Sequence, residues 1–187
     1  MDPARPKLET EPDHRLAEQS LPLMAMNLDR STYVDLLQRL SGFIRGWELW
    51  ADTVQDYAIK DLLSKRRRSS LLAADLSYFA TSAPSSFYAG PNIDNTAPSS
   101  VLGAVYVIEG STLGGQYLAK HVERVLSLTP GDGDSYFRGY KERTGSMWAE
   151  VQAMLREVPD QDADTVILAA KSVFRDFTAW MSRRSEP

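Results

Sequence analysis

Residues 101–128 read VLGAVYVIEGSTLGGQYLAKHVERVLSL, an apolar run that is interrupted by three closely spaced glycines, Gly110, Gly114 and Gly115. The apolar residues recur at steps of three and four, which predicts a helix over about 98–128. A glycine inside a helix costs about 1 kcal/mol relative to alanine, so three of them need a reason. The reason is either close packing of another helix or a flat, rigid ligand that lies against the bare backbone.

The three glycines do not fit a phosphate-binding loop. Such a loop follows a strand and, in the Walker type, ends in a Lys-Ser or Lys-Thr pair. Here an apolar helical pattern precedes Gly110, and Gln116 follows Gly115. The choice is therefore between helix packing and a ligand held against the backbone.

The remainder of the chain also has helical periodicity, and no stretch alternates as a strand would. Gly42 and Gly46 interrupt the first long helical stretch and predict a bend or a close packing contact there. The pattern predicts an all-α, single-domain helical bundle over residues 11–187, preceded by a flexible arm over 1–10. Its elements, in chain order, are a helix over 31–57 with Ser31 as its cap, one or two helices over 58–80, a long loop over 81–99, the glycine-rich helix from Pro98 or Ser99 to Leu128, a break at 129–134, a helical stretch over 135–157 and a last helix from about Asp162.

The composition excludes several classes of function. The chain has 187 residues, no cysteine, two histidines and a formal net charge of −4. Without cysteine there is no disulfide framework, thiolate nucleophile, iron–sulfur ligation or thiolate zinc site, and two histidines cannot build a three-histidine metal site. The mild acidity argues against nucleic-acid binding. No apolar run reaches the roughly 20 residues of a membrane span, and the first residues lack the apolar core of a signal peptide, so we expect a cytoplasmic protein without membrane association.

The glycine-rich segment 106–122, YVIEGSTLGGQYLAKHV, resembles the distal helix of bacterial heme oxygenases, especially those associated with bacteriophytochromes. Weaker matches follow in the order expected for that family and cover nearly the whole chain. They are HRLAE at 14–18, which resembles the proximal helix, with Thr10 and Lys7 upstream of it, LDRSTYVDLLQRLSGFIRGWE at 28–48, RRSSLLAADL at 67–76, SYFRGYKERTGSMW at 135–148 and AAKSVFRDFTAW at 169–180.

The resemblance implies an enzyme that binds heme between a proximal helix, which supplies one histidine to the iron, and a distal helix, whose glycines leave backbone and ordered water facing dioxygen. Such an enzyme uses dioxygen and external electrons to convert heme into biliverdin, carbon monoxide and ferrous iron. Because the chain has no dinucleotide or flavin motif, the electrons would come from a ferredoxin or an NAD(P)H-dependent reductase. A phytochrome is a further implied partner, as the recipient of the bilin.

On the proximal side, the resemblance makes His14 the axial ligand of the iron, and neutral imidazole is a sound iron ligand. Glu18, one turn later, would orient the ring or bind a water near the iron. Pro12 departs from the family's usual continuous helix. Because proline is tolerated in the first turn of a helix, we expect the helix to start with Thr10 or Glu11 as its cap.

On the distal side, the resemblance assigns the oxygen-facing wall to four residues, namely Gly110, Ser111, Gly114 and Gly115. Tyr106 and Tyr117 flank them and would hydrogen-bond a heme propionate or the distal waters, or else belong to the core. The two propionates need cations at the edge of the pocket. The candidates are Lys7 on the flexible arm, Lys141, which stands where relatives often have glycine, and Arg143.

Two other groups of residues have simpler explanations. We expect His121 to be exposed or bound to a neighbouring helix, because its place on the glycine-rich helix does not match that of the glycines. The basic run Lys65–Arg68 is typical of a solvated face, and it could help to dock an acidic redox partner such as a ferredoxin.

Three alternatives use similar helical folds. A non-catalytic heme or bilin carrier needs the same pocket, and the sequence barely separates it from an enzyme. A two-metal protein would carry two E-x-x-H pairs. Glu11-Pro12-Asp13-His14 spells one pair, but Leu118 stands three residues before His121, so the second is missing. A thiaminase-type hydrolase would need a cysteine nucleophile, which the chain lacks.

Overall fold

The computed structural model describes residues 1–183, which contain helices and turns but no strand. The helices are α1 (Arg5–Glu9), α2 (Glu11–Gln19), α3 (Arg30–Ala51), α4 (Tyr57–Ser64), α5 (Ser69–Tyr78), α6 (Pro98–Leu126), α7 (Ser135–Arg138), α8 (Thr144–Glu157) and α9 (Ala163–Met181), with short 3-10 turns at Pro22–Met24, Lys141–Arg143 and Asp160–Asp162. The predicted all-α bundle is confirmed. None of the helices in this part of the chain is long and apolar enough to cross a membrane.

The glycine-rich helix α6 is the centre of the bundle and packs against α7, α8 and α9. Its closest approach to α9 is at Gly103, where a Cβ atom would collide with the carbonyl oxygen of Val166. The helix ends where Ser127 adopts a left-handed conformation (φ 54°), and the N–H groups of Ser127 and Leu128 both return to the carbonyl of Glu123. The predicted start at Pro98 is confirmed.

The cap of helix α3 lies two residues before the predicted one, and the helix ends earlier than predicted. The cap is Asp29, whose carboxylate accepts a hydrogen bond from the backbone N–H of Thr32 at 2.7 Å. Ser31 was the wrong residue for this role, because its hydroxyl donates to Asp29 and it lies inside the first turn. The predicted helix over 31–57 is divided, since α3 stops at Ala51 and α4 starts with its own cap at Asp56.

The loop over 79–97 lies across α3 at the two glycines that the sequence singled out. The backbone N–H of Tyr88 donates to the carbonyl of Gly42 at 3.1 Å, and a Cβ at Gly46 would collide with the carbonyl oxygen of Tyr88. Close packing, one of the two alternatives predicted for these glycines, is therefore the role they have here. The Tyr88 hydroxyl also donates to Asp176 on α9, which fixes the loop to a second helix.

The first ten residues are more ordered than the predicted flexible arm. They contain helix α1, and the side chain of Arg5 forms an ion pair with Asp164 of α9 at 2.6 Å. The α-amino group of Met1 donates to the carbonyl oxygen of Val158 at the end of α8. Pro6 and Thr10 are buried, so this segment packs onto the bundle rather than extending from it.

Candidate functional site

Helix α2 carries His14 on an open face of the bundle. The helix begins at Glu11 with Thr10 in the N-cap position and Pro12 in its first turn, as predicted. The side chain of His14 is 53% exposed, and its Nδ1 lies 3.8 Å from a carboxylate oxygen of Glu18. The ring also meets Phe174 of α9 edge-on, with the centroids 5.6 Å apart. His14 is thus held from behind while one side of its ring stays accessible.

Thr10 connects this face of α2 to the glycine-rich helix. The Thr10 hydroxyl donates to the carbonyl of Pro6 at 2.7 Å and also interacts with the hydroxyl of Tyr106 on α6. Burial raises the pKa of Tyr106, and the interaction with Thr10 opposes that rise. Since Thr10 and His14 are four residues apart, they share one face of the helical segment. Thr10 therefore connects the start of this face to α6 at Tyr106.

Tyr106 is the first residue of a stripe along α6. Residues four apart on a helix are neighbours, so Gly110 and Gly114 follow Tyr106 on the same side of α6, and Tyr117 comes three residues later. Gly114 and Tyr117 are exposed, and a Cβ atom at Gly114 would meet nothing within 4 Å. The stripe therefore presents bare backbone to open space.

Trp148 of α8 closes one end of this stripe. Its ring lies 5.7 Å from that of Tyr106, and a Cβ at Gly110 would stand 3.6 Å from its ring carbons. On the next turn back along α8, Gly145 also has open space where a Cβ would be. Sequence reasoning missed Trp148, which it placed only among the apolar residues of its helix. The glycine three residues before it was the available signal, because it leaves one side of the tryptophan open.

The three closely spaced glycines of α6 have different roles. A Cβ at Gly115 would collide with the carbonyl oxygen of Phe137 at the end of α7, so this glycine permits close packing. A Cβ at Gly114 would meet no other atom of residues 1–183 within 4 Å, and one at Gly110 would make only ordinary contact with an aromatic ring. Packing therefore explains Gly115, and open backbone is left at Gly110 and Gly114. The hydroxyl of Ser111, the remaining distal candidate, donates to the carbonyl of Ile108 at 2.7 Å.

The predicted cations lie on two different segments. Lys141 and Arg143 belong to the turn before α8, and the carbonyl of Lys141 accepts a hydrogen bond from Gln116 of α6 at 3.0 Å. Lys141 adopts a left-handed conformation (φ 54°), the backbone for which glycine is better suited. Lys7 lies on α1. All three side chains are exposed, and none forms an ion pair within residues 1–183.

His121 lies away from the stripe, and of the two alternatives predicted for it, exposure is wrong. It is buried, and its Nδ1 lies 3.1 Å from a guanidinium nitrogen of Arg124 on the same helix. Because arginine only donates, Nδ1 accepts and the proton belongs to Nε2, which has no partner in the described part of the chain.

The basic run Lys65–Arg68 is not the solvated face that was predicted. Arg66 and Arg68 are buried, with side chains only 2% and 3% exposed, whereas Lys65 and Arg67 point outward and pair with Asp61 and Asp52. In this short connection between α4 and α5, exposed and buried side chains alternate along the chain. A docking role for the run as a basic surface is therefore wrong.

The two-metal alternative has no support in the geometry. Glu11 forms an ion pair with Arg15, one turn along the same helix. Within residues 1–183, no three His, Asp or Glu side chains lie where they could hold a metal ion together.

Comparisons with known proteins identify the family and the fold. The profile of the family described as heme oxygenase matches residues 4–183. Among solved structures, a heme oxygenase from Leptospira interrogans is 21% identical with a TM-score of 0.79, and the alignment covers 97% of this chain and 99% of that one. The NO- and CO-bound heme oxygenase from Neisseria meningitidis is 18% identical with a TM-score of 0.73, covering 96% and 89%. No curated protein sequence gives a significant match. The match to the family profile over nearly its whole length shows that the chain belongs to the heme oxygenase family.

Proposed function

We propose that this protein is an oxygenase that degrades heme to biliverdin, carbon monoxide and ferrous iron, with dioxygen and an external electron donor. One observation carries the proposal. The face of α2 that holds His14 is joined through Thr10 to the stripe of α6 on which Gly110 and Gly114 leave the backbone bare. A flat macrocycle with one axial histidine would lie between the accessible imidazole of His14 and the bare backbone at Gly110 and Gly114.

His14 is the proposed axial ligand. Its Nδ1 faces the Glu18 carboxylate, at a distance that a small rotation of either side chain would convert into a hydrogen bond. A carboxylate that accepts the Nδ1–H proton fixes the tautomer in which Nε2 carries the free lone pair. Nε2 would then bind iron, and Glu18 would orient the ring. When bound, heme supplies the iron that takes up and activates dioxygen.

The stripe on α6 has the opposite role, because it offers no side chain that could bind the iron. Gly110 and Gly114 present no side chain, and the hydroxyl of Ser111 is engaged by a carbonyl of its own helix. The space next to the backbone can therefore hold dioxygen and water but no second protein ligand. Gly115 supports this arrangement indirectly, since it lets α7 pack closely behind the helix.

The heme carboxylates would be held at the edge of the site by the exposed cations Lys7, Lys141 and Arg143. These side chains have no carboxylate partner within residues 1–183, so they are available for charge-assisted hydrogen bonds to propionates. The hydroxyls of Tyr106 and Tyr117 lie on the same stripe as the open glycines and would bind a propionate or the distal waters.

The electron donor would be a separate protein. We propose a ferredoxin or an NAD(P)H-dependent reductase, in a cytoplasmic setting, and a phytochrome as one possible recipient of the bilin. These assignments rest on the resemblance and on the absence of a dinucleotide or flavin motif in the sequence.

The test is a heme titration followed by reduction in air. Wild-type protein should bind about one heme per chain, and His14→Ala should weaken binding by roughly a hundredfold and change the absorption spectrum, because the axial bond is lost. Glu18→Gln should keep the axial bond and should therefore change the absorption spectrum less than His14→Ala does. His121→Gln is the matched control, since it removes the only other imidazole without touching the site.

Turnover separates the enzyme from a carrier. With ascorbate or a ferredoxin system in air, the Soret band of the wild-type complex should disappear as biliverdin absorption grows. A wild-type complex whose Soret band persists under these conditions is a carrier, and the proposed activity is then wrong. If His14→Ala binds heme like the wild type, another residue is the ligand.

A further inference from the structure

Beneath the glycine stripe, a buried arginine joins α6 to α8. The side chain of Arg66 is 2% exposed, and that of its partner Glu109 is 3% exposed. Burial of a charged pair is costly unless its hydrogen bonds are satisfied, and a well-packed apolar pair of the same volume would often be as stable. The position of these charges in the fold therefore needs an explanation.

The guanidinium of Arg66 reaches two helices at once. Its Nη1 donates to the Glu109 carboxylate of α6 at 2.8 Å, and its Nη2 donates to the backbone carbonyl of Met147 on α8 at 3.0 Å. The same Nη2 donates to Glu150 at 2.7 Å. The hydroxyl of Tyr140 donates to the Glu109 carboxylate from a third side, at 2.9 Å.

The two anchoring points directly precede the residues that form the wall of the site. Glu109 is followed by Gly110 and Met147 by Trp148, and a Cβ at Gly110 would lie 3.6 Å from the ring of Trp148. Arg66 thus fixes the separation of α6 and α8 at the point where the bare backbone and the tryptophan meet. A shift of either helix would change the distance between the backbone at Gly110 and the ring of Trp148.

Arginine is suited to this bridge and lysine is not. The planar guanidinium offers donors in a fixed fork, so that one end can bind Glu109 while the other binds Met147 and Glu150. A lysine ammonium can keep the ion pair with Glu109 but cannot span both helices with the same geometry. Arg67, the next residue, has a side chain that is 38% exposed and pairs with Asp52, away from α8.

We propose that Arg66 is a positioning residue that sets the spacing of α6 and α8 at Gly110 and Trp148, and thereby fixes how heme sits in the site and which meso carbon is opened. This inference rests on the proposed function. Tyr140 assists Arg66 by holding the Glu109 carboxylate in place. Neither residue touches the reacting atoms.

The experiment compares Arg66→Lys with Arg67→Lys, which makes the same chemical change one residue away. In heme-free protein, hydrogen–deuterium exchange of the amides at 110–114 and 147–150 should be about tenfold faster in Arg66→Lys than in the wild type, because the bridge is lost. With heme and a reductant, this variant should give a mixture of biliverdin isomers where the wild type gives one. Arg67→Lys should match the wild type in both measurements.

Tyr140→Phe keeps the experiment decisive if Arg66→Lys does not fold. It removes one hydroxyl from Glu109 and should shift exchange and isomer distribution in the same direction by a smaller amount, with Tyr136→Phe as its control. If the folded variants exchange and cleave heme like Arg67→Lys, Arg66 only contributes stability and the proposal is overturned. A wild type that forms no bilin overturns the proposed function instead, while the exchange measurement still decides the role of Arg66.

Discussion

Gly114 and Gly115 are adjacent residues, but only the first has space for a side chain. A methyl group at Gly114 projects into open space, whereas one at Gly115 collides with the backbone of Phe137. Backbone atoms cannot move aside as the end of a flexible side chain can, so the two positions should respond differently to the same mutation.

Gly114→Ala should make the heme-free protein more stable and heme binding weaker. Alanine stabilises an exposed helix position by about 0.5–1 kcal/mol relative to glycine, and its methyl group would occupy the space that the proposed site leaves for heme. Urea denaturation of the heme-free protein and a heme titration measure the two effects. Equal heme affinity in variant and wild type would place the ligand elsewhere.

Gly115→Ala is the counterpart of that change. Here the overpacking against Phe137 outweighs the gain in helix propensity, and we expect a net loss of about 1–3 kcal/mol in the free energy of unfolding. The same denaturation series measures it. A neutral result would mean that α7 can retreat from α6 without cost.

The sequence made His14 a candidate through the family resemblance and made the glycines candidates because clustered glycines are unusual in a helix, and both stay predictions. It was not sufficient to separate Gly114 from Gly115, which requires knowing where α7 lies. Nor did it show that Arg66 and Arg68 turn inward. Four consecutive basic residues carry no sign of which of them is buried in the connection between α4 and α5.

At the scale of elements, the loop over 79–97 is held by α3 through backbone contacts. The Gly46 position permits the carbonyl of Tyr88 to lie directly against the helix, and the ring of Tyr88 stacks on Phe43 with the centroids 4.6 Å apart. A long loop is normally among the more mobile parts of a domain. In this protein its centre is anchored to α3 and, through Asp176, to α9.

Gly46→Ala should detach the loop. The added methyl group would coincide with the Tyr88 carbonyl, so either the loop or the helix must move, and we expect the free energy of unfolding to fall by about 2–3 kcal/mol. Limited proteolysis should then cut within 79–97 faster than in the wild type. The comparison with Leu49→Ala, an exposed position on the same helix, excludes a general effect of mutating α3.

Periodicity predicted which segments are helices, and local chemistry decided where they end. The start of α6 at Pro98 was predictable because proline suits the first turn of a helix. The start of α3 was not, since Asp29 and Ser31 are both good caps and only the fold shows which one meets a free N–H. The helix within residues 1–10 was missed because it is stabilised by contacts with α9 that are distant in sequence.

At the scale of the whole molecule, one buried acidic residue makes the stability of the fold depend on pH. Asp134 is fully buried between α6 and α7, where it accepts hydrogen bonds from Gly131 and Arg138. Burial and the neighbouring Glu123 carboxylate raise the pKa of Asp134 to about 6. Arg138 also pairs with Glu123, so the two carboxylates share one cation.

The free energy of unfolding should therefore fall as the pH rises and Asp134 loses its proton. An unfolded chain releases this proton near pH 4 and the folded protein near pH 6, so the folded state binds more protons in between, and its stability decreases as the pH rises through that window. Relative to Asp134→Asn, the wild type should lose on the order of 1–2 kcal/mol between about pH 4.5 and 7. Urea denaturation of both proteins across this range measures the difference. A constant difference would contradict the raised pKa.

The glycine pair on α3 has a consequence for how the protein can evolve. The loop over 79–97 is positioned mainly at Tyr88, whose backbone contacts Gly42 and Gly46 and whose side chain contacts Phe43 and Asp176, so the exposed side chains elsewhere in the loop are free to vary. The glycines are not, because any Cβ at position 46 would collide with the main chain. Homologous sequences should thus diverge rapidly in the loop while the two helix positions that support it stay unchanged.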